Sequence, residues 1–579
     1  MLQSMILELE SLPNELLLEV FAYLPSTDLL RGFHFMNLRF HHLIIHHLQS
    51  YTVSFSSASL SDLKFIGHQS LPIMAKHVKS LTLSNGDNTP HQVYALFHEN
   101  ALTLRQFHQL QRLSLCDVCS NDTMEEIMEE WSYLPNLTHL TLAGCYLKFD
   151  RMTGQRLIDT IWSLPKLVYC YLNIDLGHDN TVAPTAVSTT LKYLFIWGRE
   201  YRENEIHSLL QQTPYLQHFS VLLRDRLEHH AIVEHSFPTM RRFRLEASQI
   251  DENRLSLFFR YMPNLCHLIV EVGLSRQPLD GYQWENLIQR YLPSLTRFQL
   301  NVSFKFDNTD KRKEQIDSLL DSFRCPFWLE EHQWFVRCHW NPLQRSSTIH
   351  LYTLPYKVTD FQFSFPIVYK STCPNDAIFL DYHHVTELKY ESNEKRPFSS
   401  PQIRFPNVNN LSIQFPIHDQ FWSMMPNPQK VTSLTIFGDD TDVNITLAEI
   451  QKLIDRLPNL YSLTMATRHV FQLVHTSIRR LDLRCGDFYL DNRQCLSLSR
   501  SVLGSQCEIL HIYLFNGMTV FELVENMKKL RLLTIESLYG EHLDENDDSF
   551  LSSLRTQLSS RFVITQDDFF SNVIQMCIC

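Results

Sequence analysis

LPNLTHLTL, residues Leu134 to Leu142, returns along the chain as LPKLVYCYL (Leu164 to Leu172), MPNLCHLIV (Met262 to Val270), LPSLTRFQL (Leu292 to Leu300) and LPNLYSLTM (Leu457 to Met465). Each copy is a proline turn followed by alternating apolar residues, the pattern of a short strand with one buried face. Weaker copies begin at Thr190, Tyr215, Thr239, Asn407, Lys430, Ser477 and Lys529. The first apolar residues of successive copies, Leu137, Leu167, Leu191, Leu216, Met240, Leu265 and Leu295, advance by 30, 24, 25, 24, 25 and 30 residues. A near-constant period in this range marks stacked repeats.

Between strands the spacing changes to that of helices. EEIMEEWSYL puts Ile127, Trp131 and Leu134 on one face, RLIDTIWSL does so with Leu157, Ile161 and Leu164, and AEIQKLIDRL with Ile450, Leu453, Ile454 and Leu457. A strand-helix unit of this size buries its apolar side only against its neighbours. The expected fold class is therefore α/β: a solenoid with a curved parallel sheet inside and helices on the convex side. The first array is expected over 76–301 and the second over 385–579. Between them, 302–384 breaks the period with a helix (Lys311 to Phe323) and strands around Trp334 to Trp340 and Ile349 to Leu354. It reads either as an expanded repeat carrying a β-ribbon or as a divider between two arrays.

Ahead of the repeats, 6–50 reads as three short amphipathic helices, with 51–75 as a linker. Leu16, Leu17, Val20, Phe21 and Leu24 recur at helical spacing after Pro13; Pro25 ends that helix, and Ser26, Thr27 and Asp28 offer capping oxygens for the next, which carries Leu29, Leu30 and Phe33. The third holds Met36, Phe40, Leu43 and Ile44. A module this short leaves apolar surface for a partner.

LPNELLLEVFAYLPSTDLL (Leu12 to Leu30) followed by MNLRF (Met36 to Phe40) resembles the F-box family, with Met36 to Phe40 standing where that family has Val-Cys-x-x-Trp. The resemblance implies that Leu12, Pro13, Leu16, Leu17, Val20, Phe21, Leu24, Leu29 and Leu30 bind the Skp-type linker of a cullin-RING ubiquitin ligase. The repeats resemble helix-containing leucine-rich repeats, and the combination is similar to F-box/leucine-rich-repeat adaptors. The function this implies is a substrate-recognition adaptor of an SCF-type ligase, binding an unknown protein substrate. The alternative is a non-catalytic leucine-rich-repeat interaction or structural protein unconnected to ubiquitin, its first helices only a cap.

Composition bounds the other classes. A net charge of −12 opposes a phosphate backbone and no basic block overcomes it, so nucleic acid is not an expected partner. No apolar run reaches membrane-span length and MLQSMILELE lacks the pattern of a secretory leader, so no membrane partner is expected either. The 13 cysteines lack framework spacing and several fall inside expected strands, which suits reduced thiols and a cytoplasmic or nuclear location. Cys577-Ile578-Cys579 lacks prenylation spacing. No Walker-type glycine loop, G-x-S-x-G or dinucleotide turn occurs, so no enzyme activity, catalytic residue or cofactor is expected. The adjacent pairs among the 28 histidines lack ligand spacing, and Cys325, Cys338, His332 and His339 lack the C-x-x-C of a zinc site, so no metal is expected.

Because side chains alternate across a strand, the residues between the inward leucines face the concave side. Tyr169, Tyr171 and Asn173, then Tyr193, Phe195 and Trp197, fall there, with His218 and Ser220 following. The rings of Tyr169, Tyr171, Tyr193, Phe195 and Trp197 are the candidate substrate-binding patch, since stiff aromatics bury much area at small entropic cost. Arg242, Arg244 and Arg297 form a basic rim beside it.

Overall fold

Prolines divide the N-terminal region. Pro13 precedes α1 (Asn14–Ala22), Pro25 precedes α2 (Ser26–Phe33), and α3 (Leu38–Ser50) completes the module. Proline suits this place because its fixed φ is acceptable just ahead of a helix and its missing N–H would have no intrahelical partner. The computed structural model describes residues 9–50, 52–55, 58, 60–86, 92–99, 102–176, 183–224, 236–275, 277–306, 311–344, 347–392, 402–437, 446–485, 488–514, 519–537, 554–556, 558, 562–566 and 573–578. Residues 6–8, the His229-His230 pair and Cys579 lie outside the described residues.

The expected linker over 51–75 is instead structured. It holds strand β1 (Val53–Ser54) and helix α4 (Leu60–Gln69), and β1 pairs in parallel with β2 (Ser80–Ser84). The physical reason is apolar content: Val53, Phe55, Leu63 and Ile66 are buried in one core with Leu29, Leu30 and Ile44 of the helical module. His34 Nδ1 lies 3.0 Å from Ser70 Oγ, the Ser54 N–H donates to Ser26 Oγ at 3.1 Å, and Arg31 pairs with Asp62. The three helices therefore sit directly on the first strand-helix unit.

From β2 the chain runs through β3 (Arg112–Cys116), β4 (His139–Tyr146), β5 (Tyr169–Asp175), β6 (Tyr193–Tyr201), β7 (His218–Leu223), β8 (Arg242–Ala247), β9 (His267–Ser275) and β10 (Arg297–Phe304), with a described helix in each connection except those from β5 to β6 and from β7 to β8. All are parallel neighbours in sequence order. The Pro-Asn turns lock one unit to the previous one. Asn136 Nδ2 donates to His108 O at 3.2 Å, Asn264 to Pro238 O at 3.0 Å, Asn407 to His383 O at 2.8 Å and Asn459 to Gln429 O at 2.8 Å. Each bond ties a turn to a carbonyl of the preceding unit at the exposed edge of the stack. Helix starts use local caps: Asp150, Asp251, Asp280, Thr446 and Asp491 each accept from an N–H three residues on.

The stretch 302–384 divides the solenoid-like fold into two sheets. It contributes the helix Arg312–Ser322 and the strands β11 (Val336–Trp340), β12 (Ile349–Thr353), β13 (Asp360–Phe365) and β14 (Val368–Ser371). Strand β12 pairs antiparallel with β10, β11 with β12 and β14 with β11, closing a 13-stranded sheet. Strand β13 opens an 11-stranded sheet with β15 (Glu387–Ser392), β16 (Asn410–Gln414), β17 (Ser433–Phe437), β18 (Ser462–Met465), β19 (Arg480–Asp482), β20 (Tyr489–Leu490), β21 (Ile509–Leu514), β22 (Leu532–Ser537), β23 (Phe562–Gln566) and β24 (Val573–Ile578). Antiparallel pairing of β22 with β24 and β24 with β23 ends it, so the second array is not parallel throughout.

The seam is packed by rings and one buried cation. Tyr352, Tyr356, Phe361, Tyr382 and Phe405 meet in tilted or edge-on pairs. Arg337 is fully buried, pairs with Asp376, and donates to Tyr382 Oη at 2.8 Å and Phe379 O at 2.9 Å. The two terminal nitrogens of this buried guanidinium are thus met, as its burial requires, while Nε has no hydrogen-bond partner among the described residues.

Among the described residues no helix is long and apolar enough to cross a membrane. The described cysteines are free thiols, and burial raises the pKa of Cys145, Cys170, Cys338 and Cys507 above the ordinary thiol value. Cys577 is a buried residue of β24, where its side chain is taken up by the core.

Candidate functional site

Parallel pairing that stays in register over the first residues of each strand, with shifts only further along, turns one position of the repeat into a line across the sheet. The first residues of β3 to β10 are register partners in turn, Arg112 with His139, Tyr169 with Tyr193, His218 with Arg242, and His267 with Arg297. None of them is buried. A second line, two residues on, runs Thr141, Tyr171, Phe195, Ser220, Arg244, Ile269 and Gln299.

Tyr169, Tyr171, Tyr193, Phe195 and Trp197 are brought together on this face, all partly exposed. Tyr169 stacks on His139 at 5.4 Å between centroids and meets Phe195 at 5.4 Å. Tyr171 lies 6.4 Å from Phe195, and Tyr193 meets the His218 ring edge-on at 4.6 Å. The rings thus hold each other upright, so little rotamer freedom is left to lose when a partner covers them. Trp197 stands at the last position where β6 pairs with β5, and the Arg244 guanidinium sits 4.9 Å from its ring centroid. Gly198 follows with φ +91°, and a Cβ there would come within 2.7 Å of Ile174 O. Only glycine allows β6 to bulge this close to its neighbour.

The electrostatics of the line are one-sided. Burial and Arg112 lower the His139 pKa, burial and Arg242 lower that of His218, and burial with Arg242 outweighs a hydrogen bond to Gln299 to bring His267 to about 4. These imidazoles are neutral at pH 7, so positive charge resides on the arginines. Arg244 is neutralised by Glu271 at 2.8 Å, and burial raises the Glu271 carboxyl above the ordinary range.

The N-terminal module divides the nine residues assigned to linker binding. Leu17, Phe21, Leu29 and Leu30 are buried in the chain's own core, so they cannot touch a partner without unfolding. Leu12 and Leu24 are partly buried, and Pro13, Leu16 and Val20 are exposed. Leu16 (45% exposed), Val20 (37%) and Tyr23 (89%) share one helical face, and Phe35, Met36 and Leu38 are also exposed, in and beside the turn between α2 and α3. Tyr23, Phe35, Met36 and Leu38 lie outside the nine residues the resemblance implies, and no spacing in the sequence marks them as exposed.

The four residues weighed as a zinc site take different neighbours. Cys325 Sγ donates to Glu285 at 3.1 Å, His332 stacks on Trp334 at 4.1 Å, Cys338 is buried in β11, and His339 stacks on His350 at 4.5 Å. Among the described residues no group of three or more His, Cys, Asp or Glu is placed to hold a metal. Compared with known families and proteins, the chain matches no protein-family model and no curated protein.

Proposed function

We propose that the chain is a substrate-recognition adaptor of an SCF-type cullin-RING ubiquitin ligase, its F-box-like helices docking the Skp-type linker and its leucine-rich repeats holding a protein substrate. The observation that carries this reading is the apolar face Leu16, Val20 and Tyr23, with Phe35, Met36 and Leu38 nearby, left uncovered on a module whose other apolar side is buried. Large apolar side chains left exposed on one helical face are what a docking site presents. At the other end, the ring cluster on the concave face supplies the anchors a protein ligand needs. The chain itself contributes binding and positioning; ubiquitin transfer belongs to other subunits.

The test is a pull-down of the purified full-length chain with purified Skp-type linker, beside Leu16→Glu with Val20→Glu. Both residues are exposed, so the variant should keep its thermal unfolding midpoint and lose linker capture. Equal capture by the two proteins, or none by the unaltered chain, refutes the reading.

One observation favours a second reading, in which the helices are a cap on the solenoid. Leu17, Phe21, Leu29 and Leu30 belong to the same core as the first repeat. A cap predicts no linker capture and a lowered unfolding midpoint when residues 1–50 are removed.

A further inference from the structure

We propose that the first-residue line of β3 to β10 is a docking track for an acidic, extended segment of a partner protein. The inference rests on the substrate-binding half of the proposed function and names the chemistry of the substrate.

Charge is the argument. The chain carries −12 overall, yet the eight register partners from Arg112 to Arg297 include three arginines and no carboxylate. Arg112, Arg242 and Arg297 are exposed, and among the described residues none of them has a carboxylate partner. Arg242 and Arg297 stand on the first and third of three neighbouring strands, with His267 between them, and Lys357 approaches the same imidazole. Such crowding of like charge costs stability, and an anion laid between the groups relieves it.

Nearby carboxylates do not cancel the track. Glu246 and Glu271 lie four residues further along β8 and β9, and Glu271 is taken by Arg244. At its far end the line reaches a pocket of about 170 Å³ lined by the cations Arg242, Arg244 and Lys357 and by the carboxylates Glu271 and Asp360. That volume suits one side chain.

Geometry sets the ligand's form. Eight strands at about 4.8 Å spacing span roughly 34 Å, which an extended peptide of about ten residues covers. Mid-track, Tyr169 and Tyr193 offer ring faces to apolar residues between the acidic ones, while the arginines nearer the ends take carboxylates. A single-stranded nucleic acid also pairs anions with ring stacking, but the net negative charge of the chain opposes its long phosphate backbone.

The experiment is fluorescence anisotropy of full-length protein with a labelled ten-residue peptide of alternating Glu and Ala. The matching Lys and Ala peptide and a ten-nucleotide poly-dT are the comparisons. The Glu peptide should bind, more weakly as salt rises, and the Lys peptide should not. Arg242→Glu with Arg297→Glu should weaken Glu-peptide binding about tenfold or more, whereas Arg493→Glu on the outer helix Asn492–Arg500 should not. Equal binding of both peptides, no binding of the Glu peptide, indifference to the double reversal, or tighter binding of poly-dT overturns the proposal. The same variants go through the linker pull-down. Lost peptide binding with intact linker capture is the expected pattern. If the unaltered chain fails to capture linker but shows the stated peptide behaviour, the adaptor reading falls and the acidic-ligand track stands.

Discussion

The two sheets share a repeat and differ in what that repeat displays. On the first sheet the first-residue line carries Tyr169, Tyr193 and arginines with no carboxylate partner among the described residues. On the second, the same position runs Glu387, Asn410, Ser433, Ser462 and Arg480, and the next line runs Lys389, Ser412, Thr435, Thr464 and Asp482. Most of its charges are paired: Asp482 lies 3.0 Å from Arg484 and 3.6 Å from Arg480, Glu508 lies 3.6 Å from both Arg479 and Arg531, and Lys389 pairs with Glu391 at 2.9 Å. One face is large-ringed, the other carries small side chains and paired charges. Inward leucines hold both sheets alike, so outward residues are free to diverge and carry specificity.

The strongest way to break the comparison is at the inward positions. Leu172→Ala and Leu463→Ala remove equally buried side chains from the two sheets, and each should lower unfolding free energy by about 2–5 kcal/mol. Urea denaturation checks this; a large cost in one sheet and none in the other would mean that the repeats do not share a structural basis.

A smaller effect sharpens the contrast between the faces. Asp482→Asn weakens the pairs with Arg480 and Arg484, at about 1–3 kcal/mol, because Asp482 is mostly buried and accepts charged hydrogen bonds, while Arg484 keeps Glu536 at 3.8 Å. Urea denaturation measures the cost, and none would show that pairing on this face adds nothing to stability.

The smallest effect is pH dependence. Burial and Arg242 bring the folded His267 pKa to about 4, below its ordinary 6.5. Between those values the unfolded chain binds a proton that the folded chain refuses. The contribution is complete above pH 6.5, falls as pH drops through that window and levels off near 4. Urea midpoints at several pH values should show this slope, reduced in His267→Gln; an unchanged slope in the variant assigns it to other groups.

Much of the site was legible. The residue two places after Leu137, Leu167, Leu191, Leu216, Met240, Leu265 and Leu295 is His139, Tyr169, Tyr193, His218, Arg242, His267 and Arg297. The period that identified the repeats thus also indexes the outward line. The sequence did not show that these residues stay in register across the sheet, because register follows from pairing of strands and not from any one strand. Nor did it show that Leu17 and Phe21 face inward while Leu16 and Val20 face out, since all four fit a helical apolar pattern. Only the position of the first repeat beneath the module separates them.

By itself, the sequence determined the alternation of strand and helix, the inward leucines and the Pro-Asn turns, because these depend on local spacing and on each unit's need to bury one face. The tertiary structure alone decided the division at 302–384, the burial of Arg337 in the seam, the conversion of 51–75 into a first repeat and the antiparallel ending. Each of these depends on which distant strand offers free backbone groups and which apolar surface remains to be covered, and residues far apart in the chain settle that together.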